Sequence, residues 1–588
     1  MNYLTLVFPV AALALIALFY LSMPDPASAV LDSDEKRSFS RRDLFAVLGV
    51  TLLYALVAFY ALGDRQAPQS FHVFSAGESQ VFALGDAADV SRFSYYPGPE
   101  TGSYKLEFSS DGERFIAAAD LSHGSADVFK WKDAELNEHV CRGVRYIRIT
   151  AKNEQYLGEI ALRDENGELI PLTGGAAELT DEQSIVPDYM TYMNSSYFDE
   201  VYHPRTAFEN LEGVYPYEVS HPPLGKLIIA LGMRLFGVTP FGWRFCGTLF
   251  GVLMLPVLYV FLKKMFGGLT VPLCGTVLLA SDFMHFTQTR IATIDTYAVF
   301  FMLLMYLFMY LYVTEGKPRH LALSGLFFGI GAACKWTCIY SGAGLAVIWL
   351  LYRIRRLREG EGFGAFIKNC LFCVVFFVLI PCCIYYASYY PYGTASGMSG
   401  VGMFFTKDYA KIVLHNQDFM FNYHAYLDSE HPYSSRWYMW LLNIRPILYY
   451  RQSYTGGYIS AFGAFVNPIL CWAGLIAMLF TGYLAFARRD RVSLFILIAY
   501  LAQLLPWVII KRTTFEYHYF QAAVFLIFAL CRIFSMMEIN LRGWRLRVCG
   551  LTALSVLLFV MFYPAISGKL TGKALLHGLC GWLPTWPF

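Results

Sequence analysis

Asp199 and Glu200 stand side by side between Tyr197, Phe198 and Tyr202. A carboxylate in an aromatic surround can have its pKa raised and act as a general base, while the same aromatic residues can anchor a loop at a membrane interface. An acidic pair is also a common feature of solvated loops, so the pair alone does not choose. Four cations, Arg290, Lys335, Lys511 and Arg512, stand at the ends of apolar stretches or in short connections between them. A carboxylate facing such cations could take a proton from a hydroxyl while the cations hold an anionic leaving group such as a phosphate. Snorkelling or salt-bridging within a helix bundle explains the same charges. Charge leaves both readings open, and the elements that carry these residues must decide.

Those elements are membrane helices. The chain has 588 residues, 56% of them hydrophobic, 17% aromatic and only 15% charged, with a mean hydropathy of +0.43. This excludes an ordinary soluble domain and implies a polytopic α-helical membrane protein embedded in a lipid bilayer. A net charge of +2 gives no footing for a nucleic-acid partner. Of thirteen cysteines, all but Cys141 and Cys580 lie in or beside apolar stretches, so no external disulfide framework can be drawn.

Apolar runs predict about twelve transmembrane helices, at 3–23, 44–62, 243–263, 268–285, 293–313, 319–337, 338–352, 366–389, 462–487, 492–510, 518–537 and 548–566. The first run could instead be a signal peptide, since Ala27-Ser28-Ala29 resembles a cleavage site, but no Lys or Arg precedes it. The basic cluster Lys36, Arg37, Arg41, Arg42 is expected on the cytoplasmic side. Lys263-Lys264, Lys317 to His320, Arg353 to Arg358, Arg488 to Arg491 and Arg542 to Arg547 fall on that side too. Both termini, the Asp199 loop and segment 390–460 are then expected outside, and the four cations above are exceptions to the charge rule that converge toward Asp199 and Glu200. Leu224 to Phe236, amphipathic and broken by Lys226 and Arg234, reads as interfacial.

Residues 67–175 change character. Alternation in Gln80 to Leu84, Tyr104 to Phe108 and Val144 to Ile149, with turns at Asp111-Gly112 and Asn166-Gly167, predicts an inserted extracytoplasmic all-β sandwich. Its order resembles discoidin-like (F5/8 type C) modules, which implies a glycan ligand; a spacer or a subunit contact is an equal reading. A polar linker, 173–188, follows Leu172. The expected organisation is two N-terminal helices in 1–66, the sandwich in 67–175 and a first catalytic outer loop in 176–242. A helix bundle in 243–389, a long outer loop in 390–460 and C-terminal helices and tail in 461–588 complete it.

Two motifs give the strongest resemblance, Phe198-Asp199-Glu200-Val201 and His221-Pro222-Pro223-Leu224-Gly225-Lys226. Further matches are Gly242-Trp243-Arg244-Phe245, Arg290 to Asp295, Lys335-Trp336 and the set His431, Tyr433, Ser435, Trp437 and Trp440. Leu505-Pro506-Trp507, Arg512, Phe515, Tyr517-His518-Tyr519 and the tail from Trp582 follow. In these the chain resembles protein O-mannosyltransferases of glycosyltransferase family 39, polyprenyl-phosphate-sugar-dependent enzymes of the GT-C type. Leu441 departs from the proline usual after the second tryptophan, and segment 390–460 is too short for the β-trefoil of eukaryotic members, which points to a bacterial type.

The resemblance implies Asp199 as general base toward an acceptor hydroxyl, with Glu200 orienting acceptor or donor, and a direct, inverting transfer. It offers Arg244, Arg290, Lys335, His431, Lys511 and Arg512 as donor-phosphate ligands, Arg244 and Arg512 first, and His221 as a sugar contact or a loop anchor. The implied substrates are a polyprenyl-phosphate sugar, mannose by analogy, and a Ser or Thr hydroxyl of a protein, with no metal or other cofactor required. A lipid or surface-polysaccharide acceptor is the rival, and a lipid-sugar transporter a more distant one, since no internal repeat is visible.

Overall fold

The structure, a computed structural model, describes residues 3–31, 37–427 and 429–588, with side chains from Val7 onward. Lys36 of the first basic cluster lies outside the described residues. Each of the twelve apolar stretches carries a helix. Among the described residues nine helices are long and apolar enough to cross a membrane, while Val7–Leu21 and Thr270–Ala280 are shorter apolar helices. The chain divides into two compact units, Met1–Tyr60 with Val219–Leu227 and Gly247–Phe588, and Ala61–Glu218 with Ile228–Cys246.

The first unit is a helix bundle around Phe520–Asn540, buried at every residue from Phe520 to Met537. A helix apolar on all sides needs neighbours on all sides, so this one is central. Two of the carboxylates inside the bundle are ion-paired. Ser40 and Asp43 form a reciprocal cap on helix Arg41–Phe59, and Asp43 also meets Lys263 at 3.1 Å and accepts the Tyr259 hydroxyl at 2.6 Å. Asp490 caps helix Arg491–Leu504 and holds Arg532 at 2.8 Å. Each carboxylate thus starts one helix and ties it to a basic residue on another.

The second unit contains two antiparallel five-stranded sheets. One runs Leu172–Thr173, Ser79–Ala88, Val144–Ala151, Gly102–Ser109, Ile116–His123; the other runs His72–Phe74, Gln155–Arg163, Arg92–Pro97, Lys132–Asp133, with Leu169–Ile170 added to Gln155–Arg163. Their inner faces bury Phe74, Phe82, Phe93, Tyr104, Leu106, Phe108, Ile147, Ile149, Leu157 and Ile160. Alternation fails at Glu107, which is buried because Lys105 at 2.8 Å and Arg148 at 2.6 Å neutralise it.

Three expectations need correction. The run 268–285 is two helices, Thr270–Ala280 and Phe283–Arg290, because the buried Asp282 takes the His285 amide as an N-cap and the Asn467 amide at 2.8 Å. The run 462–487 starts as a strand, Tyr458–Ala464, and its helix begins only after Pro468. Asn467 donates to Ser281 and Ser555 carbonyls at 2.8 and 3.0 Å, which pins the switch from strand to helix. The polar stretch after the sandwich is not a loose linker: Leu179 is in the sandwich core, Gln183 donates to the Ile160 carbonyl at 3.2 Å, and the Glu182 amide donates to Glu159 at 2.8 Å. Segment 390–460 also holds elements the sequence reading left unassigned, a 20-residue helix Lys407–Tyr426 capped by Thr406 and the hairpin Ile447–Ser453 with Tyr458–Ala464.

Candidate active site

In the second unit, Phe198–Val201 forms one turn of 3₁₀ helix. Phe198 has φ of +50°, a region costly for a bulky residue and held only where the surroundings over-determine it. The surroundings do so here. On one side of the turn, the Ser196 amide and hydroxyl donate to the Phe129 and Val128 carbonyls at 3.1 and 2.5 Å. On the other, the Glu200 amide donates to the Tyr197 carbonyl and the Tyr202 amide to the Asp199 carbonyl, each at 3.0 Å. Phe129, on a loop of the sandwich, itself has φ of +54° and stacks on Trp243 at 5.9 Å.

The two adjacent carboxylates go to different surroundings. Glu200 is fully buried and Asp199 is half-buried. Glu200 receives Arg244 in a two-pronged pair, Nε to Oε1 at 2.8 Å and Nη2 to Oε2 at 2.7 Å. The same guanidinium donates to the Ser195 carbonyl at 2.9 Å and the Leu62 carbonyl at 3.0 Å, and lies over the Tyr197 ring at 4.8 Å. Arg244 is 0% exposed. Four of its five N–H groups are thus engaged by Glu200, Ser195 and Leu62, which makes it a strut of the loop. Farther along, Glu209 accepts Arg205 at 2.7 Å and the Tyr217 amide at 2.7 Å, and burial pushes its carboxyl pKa up.

In the first unit, His221 sits on a segment fixed by helix Lys407–Tyr426. Asn416 donates to the Val219 carbonyl at 2.9 Å, and His424 Nε2 lies 2.8 Å from the Ser220 carbonyl with its ring 5.1 Å from that of His221. Lys226 reaches back to the His221 carbonyl at 3.2 Å. A Cβ on Gly225 would fall 2.7 Å from Ile294 Cγ2, so only glycine allows this packing. Neither Asn416 nor His424 was singled out in the sequence, although eight residues apart on one helix leaves them about a quarter-turn from each other.

The remaining cations separate by partner. Lys335 meets Asp295 at 2.7 Å and is nearly buried; Asp295 opens helix Asp295–Glu315, where a carboxylate suits the helix N-terminus. Arg290 donates to the Tyr60 carbonyl at 2.8 Å and stacks on Phe286. Lys511 is exposed and Arg512 half-exposed. Among the described residues Arg512 has no carboxylate partner; its Nη2 lies 3.5 Å from His518 Nε2.

Segment Lys511–Thr514 is stitched to 429–440. The Ser435 amide donates to the Thr514 carbonyl at 2.8 Å, Thr514 Oγ1 to the Ser435 carbonyl at 2.7 Å, Arg436 to the Lys511 carbonyl at 2.8 Å and Thr513 to the Ser429 carbonyl at 2.6 Å. Trp440 donates to Ser435 Oγ at 2.9 Å and stacks on His518. His431 packs against Phe515 at 4.9 Å, and its Nδ1 accepts the Tyr433 amide at 3.2 Å. Burial pushes the His431 pKa down, and with Nδ1 used as an acceptor the ring's Nε2 is the nitrogen that can donate.

The family models cover the later of these segments. A family model described as dolichyl-phosphate-mannose-protein mannosyltransferase matches residues 220–385, and one described as the C-terminal four-membrane-span region of protein O-mannosyltransferase matches 409–586. Both leave the sandwich and the Phe198–Val201 turn uncovered. The chain is 25% identical over 458 residues to a Mycobacterium tuberculosis polyprenol-phosphate-mannose–protein mannosyltransferase, covering 68% of this chain and 88% of that one. Identity to the Mycolicibacterium smegmatis counterpart is 25% over 63% of this chain and 82% of the relative. The fold matches one chain of the Saccharomyces cerevisiae protein O-mannosyltransferase complex bound to the sugar donor, with a TM-score of 0.57 at 14% identity over 67% of this chain and 89% of that one. On the two family models and these relatives, the chain belongs to the protein O-mannosyltransferase family of membrane glycosyltransferases.

Proposed function

We propose that this chain moves mannose from a polyprenyl-phosphate donor to a Ser or Thr hydroxyl of a protein, by direct displacement at the outer membrane face. The acceptor oxygen forms a bond to the anomeric carbon as the bond to the phosphate oxygen breaks, and the phosphate leaves with the electron pair. Asp199 takes the acceptor's proton, and the configuration at the anomeric carbon inverts. Arg512 compensates the charge that builds on the leaving phosphate, with Lys511 adding positive charge and His431 a hydrogen-bond donor. Arg244 and Glu200 hold the Asp199 turn. The outer location rests on the sorting of Lys and Arg along the chain.

The observation that carries these roles is the split between neighbours: Glu200 is consumed by Arg244, while Asp199 is half-buried. The test is transfer from synthetic polyprenyl-phosphate-mannose to a Ser/Thr-rich peptide and to a glycan acceptor by purified protein in detergent. Peptide mannosylation with an α-linkage from a β-linked donor supports the reading. Transfer confined to the glycan acceptor would replace the protein acceptor, and retention of configuration would remove the direct displacement.

A further inference from the structure

Three carboxylates meet on the sandwich, away from the residues assigned above. One oxygen each from Glu159, Asp181 and Glu182 lie within 4.8 Å of one another. Glu159, on strand Gln155–Arg163, is 0% exposed. Its Oε2 accepts the Glu182 amide at 2.8 Å, and its Oε1 has no hydrogen-bond partner. Across the ladder from Glu159 stands Tyr96, also fully buried, whose hydroxyl has no partner either. Ser70 donates to both Asp181 oxygens at 3.1 and 3.0 Å, and the Gln69 amide donates to Glu182 Oε2 at 2.8 Å. No Lys or Arg pairs with any of the three among the described residues.

A buried carboxylate oxygen without a donor is costly, and two more carboxylates beside it make it costlier. Burial first, then its acidic neighbours, push the Glu159 pKa up to about 8. Either a proton or a cation must offset the charge on Glu159, and a cation there would also be within reach of Asp181 and Glu182. Two oxygens on opposite sides of a calcium ion at about 2.3–2.6 Å are about 5 Å apart, so the observed spread suits one ion. Calcium takes carboxylate oxygens in a flexible geometry, whereas magnesium demands a near-octahedral one and dehydrates reluctantly, so calcium is the better fit to three carboxylates.

We propose that Glu159, Asp181 and Glu182 bind one calcium ion, which clamps the segment leading out of the sandwich toward the Phe198–Val201 turn onto strand Gln155–Arg163. The clamp is separate from the transfer chemistry and supplies no step to it. The test is calcium titration of full-length, chelator-stripped protein in detergent by calorimetry, with limited proteolysis of the 176–188 segment as a second readout. The expected result is one ion per chain and calcium-dependent protection of that segment. Glu159→Gln should weaken binding by about tenfold or more. Asp181→Asn alters an exposed side chain, so it should weaken binding with the fold intact even if Glu159→Gln folds poorly. No calcium bound to the wild type at about 1 mM, the weak end for extracellular modules, would overturn the proposal. So would wild-type affinity in both folded variants.

Discussion

Two arginines that the sequence offered for the same task sit in opposite circumstances. Arg244, in the turn-bearing unit, gives its guanidinium to Glu200, Ser195 and Leu62 and is fully buried. Arg512, in the helical unit, is half-exposed and has a histidine, not a carboxylate, beside it. A guanidinium has five N–H groups in a fixed fork, and with four of them held in a dry site Arg244 has little left for a ligand. Motif position nominates a residue; the state of its donors decides its role.

That contrast can be broken at Arg244 with the largest effect. Arg244→Ala removes the ion pair that offsets the buried Glu200 carboxylate, so stability should fall by about 3–5 kcal/mol. Thermal unfolding and the yield of membrane-inserted protein measure it. A normally folded Arg244→Ala protein that fails only in donor binding would return Arg244 to the phosphate.

Arg512→Ala should leave folding near normal and weaken use of the donor by about 1.5–3 kcal/mol, the range for a charge-assisted hydrogen bond. This is about 10- to 150-fold in kcat/KM for the lipid-phosphate sugar. Unchanged donor kinetics would move the phosphate role to Lys511. A smaller effect is expected at Ser435, whose hydroxyl accepts the Trp440 indole N–H. Ser435→Ala should cost about 1 kcal/mol of stability and shift donor KM modestly through the Lys511–Thr514 segment it is stitched to. A larger kinetic than thermal effect would place Ser435 closer to the substrate than its bonds imply.

Much of the architecture was legible because it rests on strong periodic signals. The apolar runs marked the helices, and the alternation in Tyr104 to Phe108 and Val144 to Ile149 marked two paired strands. Misses came where a polar side chain redirected the backbone. Asp282 splits one apolar run by capping a new helix, and Asn467 with Pro468 ends a strand inside another. Hydropathy cannot register either, since one residue hardly changes the average over a run.

The site was legible as a set of residue types and illegible as a set of roles. Phe198-Asp199-Glu200-Val201 was found by motif, yet nothing in the string says that Glu200 turns inward to Arg244, 44 residues away. Asn416 and His424 hold the backbone of Val219 and Ser220 from a helix that no motif announced. Glu159 and the Asp181-Glu182 pair come together only because Leu179 and Gln183 dock their segment on the sheet.

The most direct test compares Asp199→Asn with Glu200→Gln as turnover per folded molecule, with donor KM measured alongside. Asp199→Asn keeps the side-chain shape and removes the proton acceptor. It is therefore expected to lower kcat about 10²- to 10⁴-fold with donor KM largely retained. Glu200→Gln is expected to lower the folded fraction first, with turnover of the surviving molecules much less affected. Near-wild-type normalised turnover in Asp199→Asn, or the full catalytic loss in Glu200→Gln instead, would contradict the division of labour between these two carboxylates.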